Sequence, residues 1–230
     1  MSCAVAIFVK TPELSAVKSR LWPDIGRSEA ERLHRASAAA VCSVVLLACK
    51  QSAISGYWAL AESAQLSAAH WPGLSQVEQG CGSLGQRMAA VYRHLRKFHR
   101  GVILIGADAP QIQSSQLRDA ANWLSSDQPH LAIGRASDGG FWLFGGNQDL
   151  ADDQWSRARY SAPTTADEFV GAMDGCGDWL ELETLCDLDT ERDIETVHRQ
   201  LELLGDPTTE QSRVINMLAS LLTCAEPINE

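Results

Sequence analysis

The stretch Gly101-Val-Ile-Leu-Ile-Gly-Ala-Asp-Ala-Pro110 decides the fold. Four consecutive branched apolar residues, Val102 to Ile105, stand between two glycines. That is the pattern of a short strand buried on both faces, as in a parallel sheet covered by helices. The run stops at Gly106, and one carboxylate, Asp108, follows between Ala107 and the turn-forming Ala109-Pro110. Open α/β sheets bind ligands just beyond the C-terminal ends of their strands, so Asp108 is a candidate ligand-site residue. The competing reading is a turn cap, because Asp is a common turn former.

On the N-terminal side, Ala4 to Val9 is a second continuous apolar run and predicts another central strand. It leads into Lys10-Thr-Pro-Glu-Leu-Ser-Ala-Val-Lys-Ser-Arg-Leu21, which places Lys10, Lys18 and Arg20 shortly after a strand end. In an acidic chain such a cluster fits a phosphate site, with Arg20 gripping two oxygens and the lysines acting as point charges. A solvated basic loop fits the spacing equally well. Ser28-Glu-Ala-Glu31 has the form of a capping box and predicts a long helix to about Lys50, with Cys42 and Cys49 on its core face. A strand is expected from Gly56 to Ala61 and a short one near Gln76 to Gln79. Gly82 to Met88 opens a helix to about Phe98, whose N-terminal amides can face an anion.

On the C-terminal side, a helix capped by Ser114 or Ser115 reaches about Leu124, and a strand covers His130 to Gly134. Asp138-Gly-Gly140 makes a tight turn into a strand from Phe141 to Phe144, and the glycines let a ligand approach the backbone. A hairpin without a ligand accounts for the same pattern. Residues 147 to 178 read as polar and irregular, with a short helix near Thr165 to Met173. A late strand from Trp179 to Leu185 precedes Asp187-Leu-Asp-Thr-Glu-Arg-Asp193. Asp187 and Asp189, two residues apart, point the same way and can complete a hard-cation site with Asp108. Asp189 or Thr190 also fits the N-cap of a helix through Leu204. A last helix spans about Thr209 to Leu222.

The whole chain is 230 residues with 45% hydrophobic and 21% charged side chains, enough for a single α/β domain over residues 1–230. The formal net charge of −10 argues against nucleic acid or an anionic membrane as partner, since both require a basic surface. The N-terminus lacks a basic leader, and no stretch reads as the roughly 18 apolar residues of a membrane span. A cytoplasmic location is the expectation. The seven cysteines are scattered without a C-x-x-C pair, so neither zinc nor a disulfide framework is indicated.

Five motifs occur in order: K-x-P-x-x-x-x-V-K-S-R-L (Lys10 to Leu21), G-x-L-G-x-R-M (Gly82 to Met88), G-x-D-x-P (Gly106 to Pro110), D-G-G-F-W-L-x-G (Asp138 to Gly145) and D-x-D-T-x-x-D (Asp187 to Asp193). Together they resemble the glycosyltransferase-like family of the nucleotide-diphospho-sugar transferase superfamily, including members linked to arsenosugar biosynthesis. More distantly, the chain resembles the 2-phospho-L-lactate guanylyltransferases. The resemblance implies a GT-A-type fold, Rossmann-like, with a mainly parallel sheet and helices on both faces. It further implies Mg²⁺ or Mn²⁺ held by Asp108 and Asp189, and nucleotide contacts from Lys10, Lys18, Arg20, Arg87, Gly139 and Gly140. Lys18 and Arg20 would face the transferred phosphates, and Asp138 would serve as base for the acceptor hydroxyl. The implied partners are a nucleotide-sugar or an NTP together with a small-molecule acceptor. Glycosyl transfer from a nucleotide-diphospho-sugar is the leading expectation; the alternatives are nucleotidyl transfer from an NTP and non-catalytic nucleotide binding. The chain departs from the family pattern at Ser15, Ala109, Gln111 and Tyr160-Ser161, which bears chiefly on the acceptor. Without a cation between them, Asp108 and Asp189 are expected to repel each other.

Overall fold

Val102 to Ile105 form the heart of β4 (Gly101–Gly106), the middle strand of a seven-stranded sheet in a computed structural model that describes residues 2–225. The other strands are β1 (Cys3–Val9), β2 (Ile54–Leu60), β3 (Ser75–Glu78), β5 (His130–Ala136), β6 (Phe141–Gly146) and β7 (Asp178–Leu185). Their spatial order is β3-β2-β1-β4-β6-β5-β7. All pairings are parallel except the two made by β6, which runs against both β4 and β5. The mainly parallel α/β sheet expected from the sequence is therefore present, with one reversed strand that follows from the tight turn at Asp138.

The uninterrupted apolar character of β1 and β4 has a direct cause. Val5, Ile7 and Val9 of β1 and Ile103 and Ile105 of β4 join one core, with Val41 and Val45 of α2 (Arg27–Gln51) and Leu117 of α5 (Ser114–Trp123). The alternate residues Ala4, Ala6, Val102 and Leu104 join a second core on the other face, with Met88, Val91 and Tyr92 of α4 (Leu84–Arg96). Side chains alternate across a strand, so a sheet covered on both sides leaves no polar position. A third core lies outside the first layer. There Leu33 of α2 meets Ile194, Val197 and Leu201 of α8 (Glu191–Glu202) and Val214 and Leu218 of α9 (Thr209–Ala225). Short helices α1 (Trp22–Ile25), α3 (Ala64–Ser67), α6 (Asp152–Ser156) and α7 (Thr165–Ala172) fill the connections.

Several sequence expectations need correction. Helix α2 begins at Arg27, so Ser28 lies inside it; Gly26, at φ 80°, makes the entry turn, and Glu31 pairs with Arg27 at 2.7 Å instead of closing a capping box. Gln113 rather than a serine stands at the start of α5, with its amide donating to Gln116 Oε1 at 2.8 Å. Strand β2 starts two residues earlier than expected, at Ile54. Helix α6 lies in a segment read as irregular, where the buried Trp155 anchors it. Helix α2 is in fact long and apolar enough to cross a membrane, but its apolar residues are shared between two cores of the fold.

Candidate active site at the sheet edge

Four chain segments meet at the C-terminal edge of the sheet: the loop after β1, the turn after β4, the β5–β6 turn and the segment after β7. Strand β7 stands three places from β4 in the sheet. The segment that follows it nevertheless folds back to β4, because Leu188 N donates to the Asp108 carbonyl at 2.9 Å. Gln111 adds a second tie, donating from Nε2 to the Cys186 carbonyl at 2.7 Å and to Gln200 Oε1 at 2.9 Å. Two acids far apart in sequence, Asp108 and Asp189, are thereby brought together.

Lys18 lies between them. Its Nζ is 2.6 Å from Asp108 Oδ1 and 2.9 Å from Asp189 Oδ1, and it also donates to the Leu188 carbonyl. The side chain is only 2% exposed, and its backbone is left-handed at φ 49°, a conformation that non-glycine residues seldom adopt. Burial by itself would depress the Lys18 pKa, but Asp108 and Asp189 outweigh it and hold the ammonium above its usual range. Burial likewise works against the Asp108 carboxylate, and Lys18 reverses this to keep it below the ordinary value. Asp108 Oδ1 is sealed from solvent while 39% of the side chain stays accessible. The carboxylate therefore has one oxygen committed and one open edge. The mutual repulsion expected of Asp108 and Asp189 is absent, since an ammonium bridges them.

Asp187 differs from both. Burial, then the charges of Asp108 and Asp189, push its pKa up to about 8, so it carries a proton at neutral pH. His34 Nε2 sits 2.9 Å from the Lys10 carbonyl and must carry the proton there. Burial lowers its pKa more than Asp108 raises it. The neutral ring then turns an unprotonated Nδ1 toward Asp108 Oδ1 at 3.9 Å, which makes it a neighbour and not a counter-ion.

Beside this cluster opens a cleft of ≈ 450 Å³ with Arg20, Asp138, Asp187 and Asp189 as its ionisable groups and Phe8, Leu84, Met88, Phe141 and Tyr160 as apolar wall. Arg20 is exposed and has no hydrogen-bond or ion-pair partner among the described residues. Asp138 Oδ1 accepts from Gly140 N at 2.8 Å, the ordinary closure of an Asp-Gly turn, and the side chain stays exposed on the cleft wall.

Of the residues singled out in the sequence, Arg20, Asp138, Gly140 and Asp189 line the cleft, and Asp108 and Lys18 adjoin it through Asp189. Lys10 is exposed at the end of β1 and is not part of the cleft wall. Arg87 is also off the wall: it donates to Gln79 Oε1 at 3.1 Å, and Gln79 in turn holds the carbonyls of Val9 and Ala59. Gly139 has φ 90°, and a Cβ there would lie 1.9 Å from the Pro163 carbonyl oxygen, so its bare Cα accommodates the chain itself. The two sequence readings of Asp189 and Thr190 are compatible. Thr190 precedes α8, and Asp193 Oδ2 accepts from its amide and hydroxyl, which leaves the Asp189 carboxylate free of capping duty.

Sequence reasoning did not anticipate His34, which sits in a helical apolar pattern without a distinguishing signal, or the proton on Asp187. Nor did it anticipate the Tyr160-Ser-Ala-Pro163 wall, although Tyr160-Ser161 was noted as a departure. Ser161 is left-handed at φ 62°, and the Tyr160 hydroxyl is anchored to the Trp155 carbonyl at 2.6 Å.

The donor set accords with a hard divalent cation. Two carboxylate oxygens from different chain segments already converge on one positive atom. Among the described residues no group of three His, Cys, Asp or Glu side chains forms a metal cluster. Asp108 and Asp189 would thus supply two ligands and leave the rest to water and substrate oxygens, the habit of Mg²⁺.

Solved structures share this architecture. A Desulfovibrio desulfuricans G20 protein, provisionally described as a nucleotide-diphospho-sugar transferase, superposes with a TM-score of 0.83 at 23% identity, covering 97% of this chain and 98% of the other. A cytidylyltransferase from Leptospira borgpetersenii serovar Hardjo-bovis gives a TM-score of 0.55 at 11% identity, with both chains covered in full. A CMP:2-keto-3-deoxy-manno-octonic acid synthetase complexed with CTP gives 0.52 at 12% identity, covering 86% of this chain and 97% of that one. At these identities the likeness is one of fold, the GT-A-like fold of nucleotidyl and sugar transferases. No curated protein matches the sequence. Residues 30–162, more than half of the chain, match the family described as "uncharacterized protein conserved in bacteria", and the chain is a member of that family, DUF2064.

Proposed function

We propose that the protein is a divalent-metal-dependent glycosyltransferase that takes a nucleotide-diphospho-sugar donor and a small-molecule acceptor. The observation that carries this reading is the convergence of Asp108 and Asp189 on one cation, beside a cleft furnished with an unpaired Arg20 and an exposed Asp138. A diphosphate at the sheet edge needs positive charge in an otherwise acidic chain, and Arg20 has its donors free for phosphate oxygens. Asp187 lines the same cleft two residues before Asp189, within reach of a donor or acceptor oxygen. Asp138, exposed on the cleft wall, would accept the acceptor hydroxyl's proton as a general base. The apolar wall from Phe8 to Tyr160 offers a surface for the uncharged parts of a donor or acceptor. When bound, Mg²⁺ or Mn²⁺ supplies Lewis-acid stabilisation of the charge that gathers on the diphosphate leaving group.

The second reading is nucleotidyl transfer from an NTP, which has the support of the cytidylyltransferases that share the fold. That chemistry needs no base on the acceptor side when the acceptor is a phosphate. A thermal-shift screen of NDP-sugars, NTPs and NDPs, each with and without Mg²⁺ or Mn²⁺, separates the two, because native-state ligands raise Tm by mass action. Metal-dependent selectivity for NDP-sugars is the expected result. Selectivity for NTPs selects the second reading, and no response to any nucleotide removes both. A cytoplasmic location belongs to the same proposal, as the compartment that holds nucleotide-sugars.

A further inference from the structure

We propose that Lys18 is the resident cation of the Asp108–Asp189 pair and that it excludes a divalent ion until nucleotide diphosphate draws it away, so that metal and nucleotide bind interdependently. This rests on the metal-dependent reading above. Lys18 Nζ stands 2.6 and 2.9 Å from the two carboxylate oxygens that would ligate the metal. A Mg²⁺ ion needs those oxygens at about 2.0–2.1 Å, so ammonium and metal cannot share them. Nothing about Lys18 is incidental to the position. It is nearly sealed from solvent, it uses the Leu188 carbonyl as a third acceptor, and its backbone is left-handed in a loop that is exposed on either side of it at Ala16 and Ser19. Displacement by metal alone would strand a buried ammonium that has lost both charged partners, which is costly. With a diphosphate in the adjoining cleft the ammonium has anionic oxygens to move to, because Asp189 belongs both to the ion pair and to the cleft wall. The four-carbon stem permits that movement while the backbone stays in place.

The consequence is measurable without turnover. Mn²⁺ binding to the nucleotide-free protein is followed by the electron paramagnetic resonance signal of free Mn²⁺, for the unmutated chain and for Lys18→Gln and Lys18→Met. Both variants should bind Mn²⁺ about tenfold to a hundredfold more tightly than the unmutated chain, the equivalent of one charge-assisted hydrogen bond. Equal affinity in all three overturns the inference and leaves metal dependence standing. Absence of Mn²⁺ binding in all three, both without and with a nucleoside diphosphate, overturns both. Should the variants not fold, the unmutated chain carries the test by reductive methylation and peptide mass spectrometry, Lys18 being one of only four lysines. Lys18 should be protected in the free protein and become reactive as Mn²⁺ is raised, at a lower Mn²⁺ concentration when a nucleoside diphosphate is present. Continued protection while Mn²⁺ shifts Tm would show that metal and lysine do not compete.

Discussion

Asp108 commits one oxygen to Lys18 while the rest of its side chain stays accessible. Asp108→Asn is accordingly expected to do two things: abolish the metal dependence of nucleotide binding, and cost apo stability. The cost should be about 1–2 kcal/mol, below the roughly 3–5 kcal/mol of a fully buried broken pair, because Lys18 retains Asp189 and the Leu188 carbonyl and the site is partly open. Nucleotide titrations with and without Mn²⁺, together with urea melts, check both halves. Arg20 has no structural partner, so Arg20→Ala should leave the melt unchanged while weakening nucleotide binding by about 1.5–3 kcal/mol, read by calorimetry. Unaltered affinity would return Arg20 to a solvated loop residue. Asp138→Asn should lower kcat by about two to four orders of magnitude with donor affinity preserved. A loss confined to KM for the donor would instead make Asp138 a donor contact.

The β5–β6 turn and the β4 and β7 ends set these side chains in place. Gly139 is held at φ 90° against the Pro163 carbonyl, and Ala166 N donates back to the Gly139 carbonyl at 2.8 Å. Gly139→Ala therefore meets both a conformational penalty and a backbone clash, and should cost about 2 kcal/mol or more in urea unfolding. It should also shift the 161–163 wall, which would appear as weakened ligand binding in the folded fraction. The sequence revealed this glycine as part of a tight turn but not what packs on it, since Pro163 is 24 positions away in the chain. Gln111 is a similar case. It stands where the resembling family has an acid, and its amide donates to two oxygens, those of Cys186 and Gln200. A carboxylate there would face the Cys186 carbonyl without a proton to share. The departure from the pattern thus serves the strand-end tie.

Across the molecule, the pH response of folding should carry the signature of Asp187. Its folded pKa, about 8, lies above the ordinary carboxylate value of about 4. Between those values the native state binds the proton and the unfolded chain does not, so stability falls as pH rises. The contribution is complete below about pH 4 and gone above about pH 8. Asp187→Asn should flatten this slope, and the variant should out-melt the unmutated protein increasingly as pH rises through that window, in metal-free buffer. Parallel Tm–pH curves for the two proteins would mean that Asp187 is ionised throughout. Lys18 adds no slope over this window, since its raised pKa leaves it charged in the folded state as it is in the unfolded chain.

The layered α/β architecture was legible because burial on both faces of β1 and β4 leaves a one-dimensional trace: unbroken branched apolar runs that end in glycine, lysine or aspartate. Asp108 and Asp138 were legible for the same reason, each being the first charge after a buried strand, whereas Asp189 stands behind Asp187 after the half-exposed β7. What the chain order could not carry is the identity of the partner across the sheet edge. Lys18 meets Asp189 from 171 positions away, and Asp108 meets it through a backbone bond to Leu188 that no local pattern encodes. A carboxylate's charge state depends on the solvent and charges around it, so aspartates identical in sequence became an ion-paired Asp108 and a protonated Asp187 only when the fold closed over them.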